Sequence, residues 1–273
     1  MGRVTYGRSG LERVGATAVV PLRPLTVGEL LDSSVAVLRT AAKPLLLLGA
    51  VLALAEQALL APLWYVTDGA DLEPIFGYLI FTLGLGTEAT IVALLGAPAA
   101  RAAAAAMRGH TLSTRAMLTG RENRWGATLL VALLVGTCTL AAALACTVPW
   151  LTAYGFLGLA VPALVLEGTA VGAAVQRSLR LSWPWVFGVR LLGYLAWLML
   201  RVALGLSGRY VLVWLGMDDT PWVHAIGWLV ANAVAYPALA CLDAALYLQA
   251  RIRSEGLDIA MTLTKLRNAE AAR

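Results

Sequence analysis

Six apolar runs dominate this 273-residue sequence, each close to the length of about 20 residues that crosses a hydrocarbon core of roughly 30 Å. They cover about 44–64, 75–97, 125–147, 151–166, 185–206 and 222–248, with the second free to continue through an alanine run to residue 107. Runs of that length leave one fold class: an all-α polytopic membrane protein with six transmembrane helices. Composition agrees, since 60% of the residues are hydrophobic and only 14% charged, with a mean hydropathy of +0.76. Little chain remains for anything else. The longest stretch outside the runs is the first 40 or so residues, shorter than the roughly 50 at which independent domains begin, so no fused catalytic domain is expected. The first 20 residues carry Arg3, Arg8 and Arg13 and no continuous apolar core, so no cleavable leader is expected either. The expected organisation is a flexible cytoplasmic tail over 1–25, a six-span membrane domain over 26–255 and a cytoplasmic tail over 256–273.

Orientation follows from the basic residues, which stay on the cytoplasmic side. Arg3, Arg8, Arg13, Arg23, Arg39 and Lys43 precede the first run, and Arg101, Arg108, Arg115, Arg121 and Arg124 follow the second. Arg177 and Arg180 follow the fourth, and Arg251, Arg253, Lys265, Arg267 and Arg273 the sixth. The opposite connections hold only Arg209, beside Asp68, Asp71, Glu73, Asp218 and Asp219. Both termini are therefore expected in the cytoplasm, an N-in/C-in protein of a cell membrane. The net charge of +5 then reflects cytoplasmic loops and not a nucleic-acid partner. Of the 21 basic residues only Lys43 and Lys265 are lysines, a usage that suggests a high-GC bacterial genome.

Each odd-numbered run follows a segment suited to the membrane interface. In residues 26–43, Thr26 and Glu29 have capping-box spacing, and Val27, Leu30, Leu31, Val35 and Leu38 form an apolar face. Residues 169–182 repeat the pattern, and 111–124 do so less regularly. Each even-numbered run carries a Pro-Ala step, at Pro98, Pro162 and Pro237. These features describe either three repeats of interfacial helix plus hairpin or a chance recurrence in an alanine-rich chain. The prolines either shape a cavity or set helix curvature, and curvature is the commoner role.

Five ionisable residues fall inside the runs: Glu56, Glu88, Arg190, Arg201 and Asp243. Charges at such depth cost on the order of 2.5–3.5 kcal/mol on insertion scales and face protein or water, usually paired. Counting about 1.5 Å per residue puts Arg190 and Asp243 in the inner third, Glu88 near the middle, Glu56 just beyond it and Arg201 near the outer surface. Arg190 is thus expected to meet Asp243 or Glu88, and Arg201 to snorkel outward or reach Glu56. Two carboxylates at mid-depth suit an ion or proton path. Two arginines for three acids, with Asn232 adding hydrogen bonds, suit interhelix packing instead, and that reading weighs more because arginine is a poor proton carrier.

No catalytic template is present. His110 and His224 have no second ligand or base at useful spacing, and HExxH, GxSxG and Walker A patterns are missing. Cys138, Cys146 and Cys241 lie in apolar runs and read as small buried hydrophobes. No catalytic residues, metal site or cofactor are expected, and the chain is not expected to be an enzyme.

Three segments, PLRPLTVGELLD (21–32), LEGTAVGAAVQRSLRLSW (166–183) and LYLQARIRSEGLDI (246–259), resemble the bacterial, mainly actinobacterial, family of multi-span proteins named after the glycerophosphodiester phosphodiesterase membrane domain. Arg251, Arg253, Glu255, Gly256 and Asp258 stand where that family has them, while Gln249 replaces its usual acid. The resemblance implies a six-helix membrane module without the soluble phosphodiesterase barrel, similar to accessory or scaffold proteins. The expected function is accordingly a non-catalytic module that presents Arg177, Arg180, Arg251 and Arg253 as one cytoplasmic basic surface to membrane lipids or protein partners. A small-molecule or ion transporter or channel is the alternative. The sequence sets no oligomeric state.

Overall fold

The computed structural model describes residues 11–13, 21, 23–67, 73–218 and 220–270. Among these the architecture is all-α, with six helical segments long and apolar enough to cross a membrane. Helix α1 (Val27–Thr40) leads into α2 (Ala42–Thr67), and α3 (Glu73–Met107) returns. A strand at His110–Leu112 (β2), the short α4 (Thr114–Thr119) and a 3-10 turn precede α5 (Trp125–Ala145). The fourth span is two pieces, α6 (Thr147–Leu157) and α7 (Ala160–Glu167). Then come α8 (Val171–Ser182), α9 (Trp185–Trp214), α10 (Pro221–Glu255) and α11 (Leu257–Glu270).

The capping box at the start of α1 is formed: the Glu29 amide donates to Thr26 Oγ1 at 3.4 Å, and Glu29 Oε2 accepts from the Thr26 amide at 2.8 Å. Arg23 adds its guanidinium to Glu29 at 2.6 Å, and with the Thr26 hydrogen bonds it holds that carboxyl down to about 2. α8, the second segment expected at the interface, is a helix that buries Ala174, Ser178 and Ser182 on one face. The third such segment is a strand, a single-turn helix and a 3-10 turn, in keeping with its irregular pattern.

Several boundaries differ from the sequence reading. α3 does continue through the alanine run, and this draws Arg101 out of the connection and into the core. Arg101 is 2% exposed and donates to the Ala116 and Met117 carbonyls and to Asn123 Oδ1, so it caps the end of α4 instead of adding to a basic loop. α9 runs to Trp214, eight residues past its expected end, which shortens the expected 207–220 loop. Within the stretch expected to be a flexible tail, Leu11–Arg13 (β1) pairs antiparallel with β2, and Leu25 is buried. Residues 1–10, 14–20 and 22 of that stretch lie outside the described residues. Gln249 explains part of the anchoring: its Oε1 accepts from the Leu25 amide and its Nε2 donates to the Arg23 carbonyl, each at 3.1 Å. An acid at this position would supply no donor. Over 257–270 the expected C-terminal tail is helical. Cys138 and Cys146 are exposed on the bundle surface, and only Cys241 is buried.

α10 is the hub, packed on α9, α2 and α3, while α3 packs in turn on α5. Between helices in lipid, association depends on close backbone approach and not on apolar burial alone. Gly136 supplies it between α5 and α3, where a Cβ would lie 2.8 Å from the Gly86 carbonyl. Gly227 supplies it between α10 and α9, where a Cβ would lie 2.6 Å from the Gly205 carbonyl. The three prolines behave differently. Pro162 lacks an N–H and crowds the carbonyl four residues back, at Gly158, and the fourth span breaks there. Ser178 of α8 covers the break: its hydroxyl accepts from the Leu159 amide at 3.1 Å and donates to the Phe156 carbonyl at 2.6 Å. Pro98 and Pro237 sit inside continuous helices.

Candidate functional site

α2 is apolar along its middle except for Glu56 and Gln57. A carboxylate there needs partners, and neighbouring helices provide three. Glu56 Oε1 accepts from Thr87 Oγ1 of α3 at 2.8 Å, and Oε2 accepts from Tyr236 Oη at 2.6 Å and Asn232 Nδ2 at 3.1 Å, both of α10. All three donors are neutral. Next to Thr87 in α3, Glu88 Oε2 pairs with Arg201 Nη1 of α9 at 2.8 Å. Arg201 therefore neither snorkels nor reaches for Glu56 as expected. The reason is the length of α9, which puts Arg201 in the middle of a 30-residue helix and not near its outer end.

Deeper towards the basic end, Arg190 meets Asp243 through two bonds, Nε to Oδ1 at 2.6 Å and Nη2 to Oδ2 at 2.9 Å, the fork geometry that makes arginine–carboxylate pairs strong. This is one of the two pairings expected. The guanidinium carbon lies 3.8 Å from the Tyr154 ring centre, and Gly158 is the residue that makes room, since a Cβ there would overlap the guanidinium.

Glu56, Glu88, Arg201 and Asn232 line one cavity of about 650 Å³ between α2, α3, α9 and α10. Trp64, Arg209, Thr220 and His224 stand at its mouth, at the end of the bundle away from the arginine-rich connections. Leu60, Ala61, Ile80, Phe81 and Leu85 form its walls, and Trp228 and Tyr236 join the polar residues at its floor. From His224 to Tyr236 the cavity follows α10 for about 18 Å at 1.5 Å per residue. Below it the helix is sealed, for every residue of α10 from 235 to 250 is buried. Arg190 and Asp243 lie in that sealed region and do not line the cavity.

Three buried polar atoms at the floor have no hydrogen-bond partner among the described residues: Glu88 Oε1, Arg201 Nε and Asn232 Oδ1. None of these residues is more than 8% exposed. The orientation of the Asn232 amide is fixed by chemistry, because turning it over would set its oxygen against the Glu56 carboxylate.

The arginines expected to form a cytoplasmic basic surface are mostly engaged elsewhere. Arg177 donates to Glu167 Oε1 at 2.9 and 3.0 Å and pairs with Glu255, and Arg251 donates to Glu255 at 3.0 Å and lies 3.6 Å from Glu167. Tyr247 also donates to Glu167. Burial works against the Arg177 charge, but the two carboxylates outweigh it and raise its pKa above the usual arginine value. Arg253 donates to the Leu25 carbonyl and lies 4.0 Å over the Trp185 ring. Arg180 is exposed.

Sequence reasoning missed Thr87, Tyr236, Trp228 and the mouth residues. A signal was present: His224, Trp228, Asn232 and Tyr236 recur at every fourth position, one polar and aromatic stripe down a single face of α10.

Fold and site together define an integral membrane protein of six apolar spans with a polar-floored cavity between four of them. Comparison of the chain with family models, with curated proteins and with solved structures found no match.

Proposed function

We propose that this protein binds a small solute in the cavity between α2, α3, α9 and α10, as a carrier does in a conformation open to one side. The observation that carries the reading is the set of three unpartnered polar atoms on the floor of an otherwise apolar-walled cavity. Buried polar groups are ordinarily hydrogen-bonded, and a mostly apolar cleft with a few convergent polar groups is the usual form of a small-molecule site. With the basic end in the cytoplasm, as the distribution of arginine requires, both termini are cytoplasmic and the mouth faces outward. The competing reading is a scaffold that presents a basic face to lipids or partner proteins. It is weakened because Arg177 and Arg251 direct their charge to Glu167 and Glu255. Kinship with the glycerophosphodiester phosphodiesterase membrane-domain family rests on the three segments that resemble it, and we extend no hydrolytic activity to this chain.

The test is water access. In a protein whose three cysteines are replaced by serine, Leu85→Cys in the cavity wall and Leu130→Cys on the lipid-facing surface of α5 are treated with a membrane-impermeant thiol reagent in intact cells. Leu85→Cys should react and Leu130→Cys should not. No reaction at Leu85→Cys in folded protein would mean a dry core and would return the argument to the scaffold.

A further inference from the structure

The charge at the cavity floor says more than that a solute binds. Two carboxylates, Glu56 and Glu88, share the floor with one guanidinium, Arg201, which pairs with Glu88 at 2.8 Å. Glu56 is met by three neutral donors and by no cation in ion-pairing range among the described residues. With these groups ionised, the floor therefore carries one negative charge in excess, buried where an uncompensated charge is costly. The unpartnered atoms lean the same way, since Glu88 Oε1 and Asn232 Oδ1 are acceptors and Arg201 Nε is the single donor.

We propose, building on the solute-binding reading above, that the ligand is an organic cation: a primary ammonium group seated on the floor and an apolar body along the walls. An ammonium offers three N–H donors and no acceptor. It would place them on Glu88 Oε1, Asn232 Oδ1 and the Glu56 carboxylate, and its charge would balance the floor. Leu60, Ile80, Phe81 and Leu85 give hydrocarbon a place to lie, and the volume of about 650 Å³ is within the range of small-molecule sites. Arg201 Nε is left for an acceptor on the ligand or for water. The same ammonium chemistry arrives either on a soluble amine or on the head group of an aminophospholipid.

Protection of Leu85→Cys from the thiol reagent reads the inference, with protein in phosphatidylcholine nanodiscs. Three probes share a phenyl-alkyl body: 2-phenylethylammonium, 2-phenylethanol and 3-phenylpropionate. The cation should protect saturably and the neutral and anionic probes at least about tenfold more weakly, the ratio expected for a buried charge-assisted interaction. Glu56→Gln and Glu88→Gln should each raise the half-protecting concentration of the cation by about tenfold or more. If either variant fails to fold, the ranking of the three probes on the parent protein still decides. Nanodiscs containing phosphatidylethanolamine separate the sources: protection without added amine assigns the site to a lipid head group, and its absence beside protection by the soluble cation assigns it to a free amine. Equal protection by the three probes, preference for the anion, or protection by none of them while Leu85→Cys reacts would overturn the cation assignment and leave the cavity reading standing. Failure of Leu85→Cys to react at all would remove both.

Discussion

Cutting the Arg190–Asp243 pair one side at a time, and then both together, should give losses that do not add. The structure fixes the expected sizes. Both side chains are nearly inaccessible, at 3% and 5% exposure, and they share two bonds of 2.6 and 2.9 Å. Asp243→Ala strands the guanidinium among α6, α9 and α10, against the Tyr154 ring and without its bonded carboxylate. Breaking one side of a buried pair costs about 3–5 kcal/mol, a large share of the roughly 5–15 kcal/mol that holds a typical domain. Arg190→Met leaves the converse, an unpaired carboxylate, and also forfeits the ring contact, worth about 0.5–2 kcal/mol. The double variant strands no charge and keeps most of the volume, so it should recover about 2 kcal/mol or more of the summed losses. The assay is the folded fraction across a denaturing-detergent titration, read by size-exclusion profile for parent, single and double variants. Strictly additive losses would refute the reasoning, since they would mean that the two charges do not compensate one another.

Three further outcomes follow from local geometry. Gly227→Val should separate α10 from α9 and lower the yield of folded protein, because a Cβ there meets the Gly205 carbonyl at 2.6 Å, whereas Gly126→Ala, with nothing within 4 Å, should match the parent or exceed it slightly; equal yields would refute the packing argument. Ser178→Ala should cost about 1–3 kcal/mol by orphaning the Leu159 amide at the break between α6 and α7, while the Phe156 carbonyl keeps the Ser182 hydroxyl at 3.2 Å, and an unchanged detergent midpoint would show that the break needs no cover. Glu29 should titrate near 2, with its contribution complete above its unfolded value of about 4.5 and lost as the pH falls through about 2, and Arg23→Gln should move the midpoint up towards 4.5; carboxyl NMR with no such movement would remove Arg23 as the cause.

The apolar runs were legible because crossing a bilayer is a constraint on contiguous residues, visible in one dimension. The Arg190–Asp243 pair was legible for a related reason: both residues count from nearby helix ends on the arginine-rich side, so errors in span length hardly move them. Arg201 was misplaced because its depth was counted on a span ending at residue 206, and α9 runs on to Trp214. The cradle around Glu56 was harder to see: Asn232 stood out as a polar residue in a span, but Thr87 and Tyr236 are neutral residues whose part appears only when α3 and α10 converge on α2. The arginines of the connections were legible as charges but not as partners. Glu167 and Glu255 lie 88 positions apart in sequence, and only the packing of α7, α8 and α10 brings both to Arg177.

That four-residue cluster gives a test whose sign separates the two accounts of the basic face. Glu167, Arg177, Arg251 and Glu255 tie together the ends of α7 and α10 and the middle of α8, with side chains 17–29% exposed. At that exposure each pair contributes no more than about 1 kcal/mol, and less at high salt. If the arginines are engaged within the protein, Glu255→Gln releases part of their charge, and retention on anionic vesicles should rise, by about 1 kcal/mol for each arginine freed towards the surface. Replacing all four residues by glutamine, which leaves neither a bare arginine nor a bare carboxylate, should then change retention little, because the cluster is neutral as a whole. A scaffold that works through a free basic face requires the reverse: a steep, salt-dependent loss in the quadruple variant and no gain in Glu255→Gln. Vesicle flotation across a salt series measures both variants, and the reverse pattern would restore the scaffold reading at the expense of the carrier.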